Sequence, residues 1–332
     1  MSQWKLSKPE YDILLSYVGC GNFPDADIIV FGNEEGTGGY SVEANVKARV
    51  NLYGKDDPNE ERKYCIHGTD WKHGFYEPSS KGGASKVEKY LLNHETVQEK
   101  GFARGAFNPA VARICLDLEN RGNTTNWYQS GTENPDVWET IKGFVVDDLY
   151  KPRDGIQTAL ADWRPLPREN ESVWDPNEYG NIAASLKKNP YLDAFNHPTK
   201  PYKPSKYIQP LFSHFHDDMV QRSKILKSLF IASKANIILC LGGANAKSYK
   251  KQALEIMFGP EIFEPMRFNT ADMRTRRGGA LEAFKAVVPL DHKTLHIFMV
   301  PFPSWGNVFK SQNDALNMLK ELTSDYIKPC LL

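Results

Sequence analysis

The sequence has few cysteines, no net charge and no long apolar run. Its 332 residues include only five cysteines, and 41 basic side chains balance 41 acidic ones. The odd cysteine count and the lack of a C-x-x-C pair argue against a disulfide framework, a zinc ribbon and iron–sulfur ligation. We therefore expect reduced structural thiols, as in a cytoplasmic protein. The zero net charge argues at first against a nucleic-acid partner, because such domains are usually basic.

No segment has the composition of a membrane span or a secretory signal. The longest apolar runs, such as residues 237–241, are far shorter than the ~20 residues that cross a bilayer. The N-terminal residues have neither an apolar core nor a small-residue cleavage site. We expect a cytoplasmic protein without a membrane partner.

Short apolar runs alternate with segments of helical periodicity. The runs typical of strands lie at 27–31, 155–163, 236–243 and 295–300. The helices are predicted at 7–19, 109–119, 212–234, 244–259 and 312–327. This alternation predicts an α/β fold of three layers, α/β/α, around a central, mainly parallel sheet of four strands.

Other segments lack this pattern. A proline-rich stretch at 190–210 has no clear periodicity. Polar, glycine-rich segments are predicted as insertions at 54–105 and 120–140. We expect one domain over residues 1–332 that carries both insertions.

Each predicted strand is followed by a loop whose residues could bind a ligand or act in catalysis. The loops read GNEEGTGG, DWRPLP, GGAN and PFPSWGN in chain order. Ligands of parallel sheets bind beyond the carboxyl ends of the strands. We therefore expect the four loops to converge on one rim, which we call the strand-end rim.

The first loop places Glu34 and Glu35 among four glycines. A nucleotide phosphate loop is disfavoured, because G-K-[ST] is missing and two acids repel phosphate. Carboxylates at this rim suit water activation or stabilisation of a developing cation. Adjacent side chains point apart, so we expect one of the two in the pocket. The alternative is that both are solvated loop acids.

The last loop combines stiff prolines with a hydroxyl and two aromatic rings. Ser304 and nearby amides can hold a phosphate oxygen, and Phe302 and Trp305 can stack on a base or wedge into a duplex. The alternative is an aromatic pair in the core.

One compact basic cluster and one histidine pair remain. Arg274, Arg276 and Arg277 either contact phosphate or form a solvated surface. His214 and His216 have no acidic partner at a metal-binding spacing, and on a helix they point apart. We predict no metal and no cofactor.

Taken together, the order of these loops resembles that of the uracil-DNA glycosylase superfamily. Residues 32–36 match its first motif, with Glu34 at the catalytic acid or amide and Glu35 where proline is usual. Residues 302–307 keep the Pro-Ser and the closing asparagine of its last motif. Residues 158–166 are similar to its middle strand, and residues 242–244 to its strand–glycine–helix junction.

Two departures bear on the substrate. The family's base-reading asparagine falls on Ala159, unless Asp162 takes that task, and its histidine is replaced by Phe302. Loss of that donor weakens the case for uracil, which leaves as an anion.

The resemblance implies a monofunctional DNA glycosylase that flips a nucleotide out of duplex DNA and leaves an abasic site. Glu34 would stabilise the oxocarbenium-like sugar and orient or deprotonate water, with Asn33 and Glu35 in the same catalytic loop. The base-binding candidates are Phe302, Tyr40, Asp162 and Ala159. The DNA-binding candidates are Ser304, Trp305, Asn307, Arg274, Arg276 and Arg277. Lys81, Lys86 and Arg104 can extend a positive stripe around the rim.

The preferred substrate is a glucosylated hydroxymethylcytosine in phage DNA, which implies a role in anti-phage defence. One alternative is repair of uracil or another damaged base. A second is a catalytically inert reader of modified DNA, and a more distant one is a nucleoside hydrolase. No obligate protein partner is expected.

Overall fold

The computed structural model describes residues 4–34, 36–37, 41–54, 106–119, 125–200, 214–245, 247–304 and 308–331. The longer helices are α1 Lys8–Ser16, α2 Val42–Gly54, α3 Phe107–Glu119, α4 Pro135–Asp147, α5 Pro190–Asn196, α6 Phe215–Ala232, α7 Tyr249–Phe258 and α8 Gln312–Glu321. A π-helical turn, Leu322–Ile327, continues α8 into a last short helix, α9, at Lys328–Leu331.

The strands of the described residues form one sheet. They are β1 Gly19–Gly21, β2 Ile28–Gly32, β3 Thr158–Asp162, β4 Ile237–Leu241, β5 Glu264–Pro265, β6 Phe284–Pro289 and β7 Thr294–Val300. Their order across the sheet is β1-β3-β2-β4-β7-β6-β5. The central strands β3, β2, β4 and β7 are mutually parallel, whereas β1, β6 and β5 pair antiparallel at the two edges.

The prediction of a mainly parallel sheet of four strands is therefore wrong in both respects. The sheet has seven strands, and three of its six strand pairings are antiparallel. The four parallel strands are those that the apolar runs indicate, and the three missed strands are the antiparallel ones. β1 is the tripeptide Gly-Cys-Gly and β5 has only two residues, so neither has a strand-like composition. β6 alternates between more and less buried side chains, and this weak pattern gave no continuous apolar run.

Helices cover both faces of the sheet. In β2, Ile29 and Phe31 pack with α1 and α6 on one face, whereas Ile28 and Val30 pack with α3, α4 and α8 on the other. This alternation along one strand follows from its period of two. The expected layers, helices on either side of a sheet, are present.

Most of the predicted helices are present within a few residues of their predicted bounds. α1 begins at a capping box in which Ser7 and Glu10 satisfy each other's backbone amides. α7 begins five residues later than the predicted start at 244. The cause is the left-handed backbone at Gly242 and Gly243 (φ of +87° and +72°), which turns the chain before the helix can start.

Three helices, α2, α4 and α5, were not predicted. α4 lies across the end of the segment 120–140 that we expected to be an insertion. α5 occupies the start of the proline-rich stretch, where Pro190 takes the first turn after the cap Asn189. Proline is well suited to that first turn, so its presence there did not exclude a helix. The predicted insertion at 54–105 lies almost wholly outside the described residues.

Cys20, Cys115 and Cys240 are buried free thiols and Cys330 is a partly buried one, as the cysteine spacing predicts. Cys65 lies outside the described residues. None of the described helices combines the length and the apolar character needed to span a bilayer.

Candidate functional site

The loops after the four parallel strands meet at the strand-end rim, as the sequence predicts. The register pairs Gly32, the last residue of β2, with Asp162, the last residue of β3. On the other side of β2, the amide of Gly242 after β4 donates to the carbonyl of Val300 at the end of β7 (2.8 Å). The four strand ends therefore lie side by side.

Glu34 is a buried acid of this rim that forms ion pairs with two arginines. Arg168 donates through Nε to Oε2 (2.9 Å) and through Nη2 to Oε1 (2.7 Å) of Glu34. The Nε of Arg164 lies 3.2 Å from Oε2 in a second ion pair. The side chain of Glu34 is only 5 % exposed, and both arginines are more deeply buried. Glu34 is therefore a buried, ion-paired acid and not a solvated one, whereas Glu35 lies outside the described residues. The expectation that one of the two acids lies in a binding pocket stays a prediction.

The two arginines were missed in the sequence. They belong to the segment RPLPR that follows β3, where two basic residues four positions apart face an acidic loop. The opposite charges of these two strand-end loops could have predicted an ion pair between them.

Arg164 connects Glu34 to α7. Its Nη2 donates to the hydroxyl of Tyr249 (2.7 Å) and to Oε1 of Glu171 (3.1 Å), and its guanidinium lies 4.5 Å from the centre of the Tyr249 ring. Tyr249 in turn donates to Glu171 (2.7 Å). The amide of Asn33 also donates to Glu171, so Asn33 is a member of this network.

Asp162 lies directly beneath this network. A Cβ on Gly32 would be 2.1 Å from its Oδ1, so the glycine leaves the space that the carboxyl group occupies. Its Oδ2 is buried and has no hydrogen-bond partner among the residues that the structure describes. Burial raises the pKa of Asp162 to about 7, against the opposing influence of Arg222 and Arg49 and with a further upward contribution from Glu34.

Ala159 lies in the middle of β3, where it pairs with Ile29 of β2 and Gly21 of β1. It is fully buried and three residues before the strand end. Of the two alternatives for the base-reading position, Asp162 is the one that reaches the strand end.

Among its described residues, the rim carries more basic than acidic side chains. Three acids lie close enough to the same basic groups to interact with their charges: Glu34, Asp162 and Glu171. Five cations surround them: Arg49, Arg164, Arg168, Arg222 and Lys250. A surplus of positive charge at this edge favours an anionic ligand.

The junction between β4 and α7 contains one buried hydroxyl without a partner among the described residues. Ser248, the residue before α7, is 5 % exposed, and no described residue forms a hydrogen bond with its Oγ. A Cβ on Gly243 would be 3.0 Å from that oxygen and 2.9 Å from Cε of Lys250, so the bare glycine backbone covers both groups closely. The ammonium of Lys250 donates to the carbonyl of Leu241 (3.2 Å), and burial lowers its pKa.

Phe302 sits at the opposite end of the rim. Its ring packs on Gly242 and stacks on Phe107 of α3, with centroids 6.4 Å apart and planes 13° apart. Phe302 therefore has a structural partner in α3. The alternative of a core pair of Phe302 with Trp305 stays a prediction, because Trp305 lies outside the described residues. The amide of Ser304 donates to the carbonyl of Phe302 (2.8 Å), and the carbonyl of Ser304 accepts from Phe309 (3.0 Å).

The arginine cluster lies next to this last loop. Its chain forms a tight turn closed by a backbone pairing of Arg274 with Ala280, and Thr275 pairs with Phe309. Arg276 and Arg277 are exposed at the tip, and Arg274 lies 3.6 Å from Asp272. The site candidates Glu35, Tyr40, Trp305 and Asn307 lie outside the described residues, as do Lys81, Lys86 and Arg104.

Within the described ranges, no group of three His, Cys, Asp or Glu side chains is arranged to hold a metal ion. Comparison of the chain with models of protein families, with curated proteins and with solved structures finds no match.

Proposed function

We propose that the chain is a monofunctional DNA glycosylase that hydrolyses the N-glycosidic bond of a flipped nucleotide at the strand-end rim. The observation that carries this proposal is the buried carboxylate of Glu34 at the end of β2, fixed by Arg168 and Arg164. Cleavage of an N-glycosidic bond builds positive charge on the sugar. A fixed carboxylate in a water-poor site stabilises that charge without reorganising during the reaction.

The ion pairs leave Glu34 with acceptor capacity. A carboxylate has about four acceptor positions, and the hydrogen bonds from Arg168 occupy one on each oxygen. A remaining position accepts a hydrogen bond from the attacking water. As the bond to the base breaks, the water oxygen bonds to C1′ of the sugar, Glu34 takes the water proton, and the departing base keeps the bonding electron pair and is protonated by solvent.

The charges of the rim support DNA as the partner. The cations around Glu34 outnumber the acids, and this surplus attracts the phosphate backbone even though the whole chain is neutral. Arg276 and Arg277 are exposed beside the loop that carries Ser304, where they can contact the flanking backbone.

The preferred substrate is a glucosylated hydroxymethylcytosine in phage DNA, which would make the enzyme a cytoplasmic anti-phage defence protein. Support comes from the residues at the expected uracil-reading positions: the asparagine is replaced by Ala159 or Asp162, neither of which has a side-chain amide, and the histidine by Phe302, an apolar ring stacked on Phe107. A pocket without those donors is poorly suited to uracil. Excision of uracil or another damaged base remains the alternative among enzymes.

One observation favours a second function, that of a reader which binds modified DNA without cleaving it. Both oxygens of Glu34 accept from Arg168, and little of the carboxylate is exposed. If the hydrogen bonds from Arg168 keep water away from Glu34, the rim can still bind a flipped base, but the N-glycosidic bond of that base stays intact.

The test is a panel of matched duplexes that carry uracil, hypoxanthine, hydroxymethylcytosine or glucosylated hydroxymethylcytosine at one position. Each is incubated with the full chain and then treated with alkali, which cleaves the strand at an abasic site. We expect cleavage of the glucosylated duplex and little of the others. Cleavage of the uracil duplex instead identifies a repair enzyme, and tight binding without any cleavage identifies a reader. Hydrolysis of free nucleosides, with no salt-dependent DNA affinity, would contradict both.

A further inference from the structure

A cavity of about 430 Å³ lies between the helices on one face of the sheet. Its walls come from α3, α4 and α8, and Pro303 closes it on the side of the last strand-end loop. Most of the lining is apolar and includes Pro109, Ala110, Trp138, Ala315, Leu316 and Leu319. The volume falls within the range of about 300–1,000 Å³ that is usual for small-molecule sites.

Arg113 is the only charged side chain among the described residues that line the cavity. It is 4 % exposed, its Nη1 donates to the carbonyl of Trp127, and its guanidinium lies 5.9 Å from the centre of the Trp138 ring. No carboxylate of the described residues pairs with it. A buried cation without an anionic partner is costly, and proteins normally supply one.

The missing partner has a defined position. Because Nη1 donates to the carbonyl of Trp127, the edge of the guanidinium formed by Nε and Nη2 is the one that can bind a ligand. That edge presents two parallel N–H groups, which match the two oxygens of a carboxylate. The rest of such a ligand would meet the Trp138 ring and the aliphatic side chains of α3 and α8.

We infer that this cavity is a binding site for a small apolar carboxylate, whose acid group pairs with Arg113 and whose apolar body packs against Trp138. Of the strand-end loop residues that the structure describes, only Pro303 contributes to its walls. The site is therefore distinct from Glu34 and its network and does not depend on the proposed action on DNA.

The test compares two probes of nearly equal shape, 1-naphthaleneacetate and its neutral amide, by titration calorimetry with the full chain and no DNA. We expect the carboxylate to bind about tenfold or more tightly than the amide, the difference that one charged hydrogen-bonding contact provides. Equal affinity for the two probes, or no binding of either at roughly millimolar concentration, overturns the inference.

Two variants locate the binding. In Arg113→Met the preference for the carboxylate should disappear while the amide still binds. Because loss of Arg113 can also destabilise the chain, a second variant, Ala315→Phe, fills the cavity and leaves the arginine in place. It should lose both probes at an unchanged melting temperature. Full carboxylate binding by folded Ala315→Phe places the ligand elsewhere and contradicts the assignment.

Discussion

Arg168 and Glu34 are joined by two hydrogen bonds, of 2.9 and 2.7 Å, across 134 residues of chain. Both side chains are almost completely buried. The acid proposed to stabilise the reacting sugar is therefore also a structural tie between the loops after β2 and β3. Its contributions to stability and to activity must be measured separately.

The first prediction concerns this pair. Arg168→Met leaves Glu34 buried with Arg164 as its remaining partner, so we expect a loss of about 3 kcal/mol in the free energy of unfolding. The double variant with Glu34→Gln should lose about 1–3 kcal/mol less than the sum of the single losses, because the two residues share one interaction. Urea unfolding of the four proteins measures this. If the losses of unfolding free energy in the two single variants add up to the loss in the double variant, the interaction between Arg168 and Glu34 does not stabilise the fold.

The second prediction concerns pH and Asp162. An unfolded aspartate releases its proton near pH ~4, whereas burial raises the pKa of folded Asp162 to about 7. Protonation of Asp162 therefore stabilises the fold fully below about pH 4, and this stabilisation is lost as the pH rises to about 7. The groups that face Asp162 are Arg222, Arg49, Glu34 and Lys250.

Asp162→Asn should remove this part of the pH dependence between about 4 and 7, as measured by urea unfolding at several pH values. Asp154→Asn, at an exposed position, is the matched control and should keep the wild-type profile. Parallel profiles for wild type and Asp162→Asn would show that this carboxyl group does not titrate in that window.

The third prediction compares two glycines of one loop. A Cβ at Gly32 would lie 2.1 Å from Oδ1 of Asp162, whereas a Cβ at Gly36 would meet no atom of the described residues within 4 Å. Gly32→Ala must displace the carboxyl group of Asp162, and we expect a loss of about 1–3 kcal/mol. Gly36→Ala should be nearly neutral. Thermal unfolding of both variants checks this, and equal melting temperatures would exclude the close contact.

The fourth prediction concerns the exposed tip of the arginine turn. Replacing Arg276 and Arg277 together with glutamine should weaken DNA binding and reduce the slope of log affinity against log salt by about 2, since each phosphate contact contributes about 1. The control removes the same charge from Lys224 and Lys227, which are exposed on α6. Fluorescence anisotropy at several salt concentrations measures both. Equal slopes for the two double variants would show that the turn does not contact phosphate.

The elements with strong local signals could be predicted from the sequence. The four parallel strands are apolar runs that end at or next to a glycine, a proline or a polar residue, so these strands and the loops that follow them could be predicted. β1 and β5 could not be found in the same way, because two or three residues form a strand only when a neighbour supplies the hydrogen bonds.

The partners of Glu34 depend on long-range geometry. Arg168 reaches Glu34 only because β2 and β3 are adjacent and in register, with Gly32 opposite Asp162. The sequence showed an acidic loop and a basic loop, but not which strands are neighbours. The buried hydroxyl of Ser248 likewise follows from the delayed start of α7, which local helical periodicity did not predict.

The most direct test of the central claim is a single-turnover assay of Glu34→Gln on a duplex that the wild-type chain cleaves, with DNA affinity measured in parallel. Glutamine keeps the shape of the side chain and one acceptor oxygen but cannot carry the charge or take a proton. We expect abasic-site formation to fall about 100-fold or more, whereas the DNA affinity should change little. Near-normal turnover by a folded Glu34→Gln variant would contradict the account, as would a wild-type chain that binds modified duplexes and releases no base.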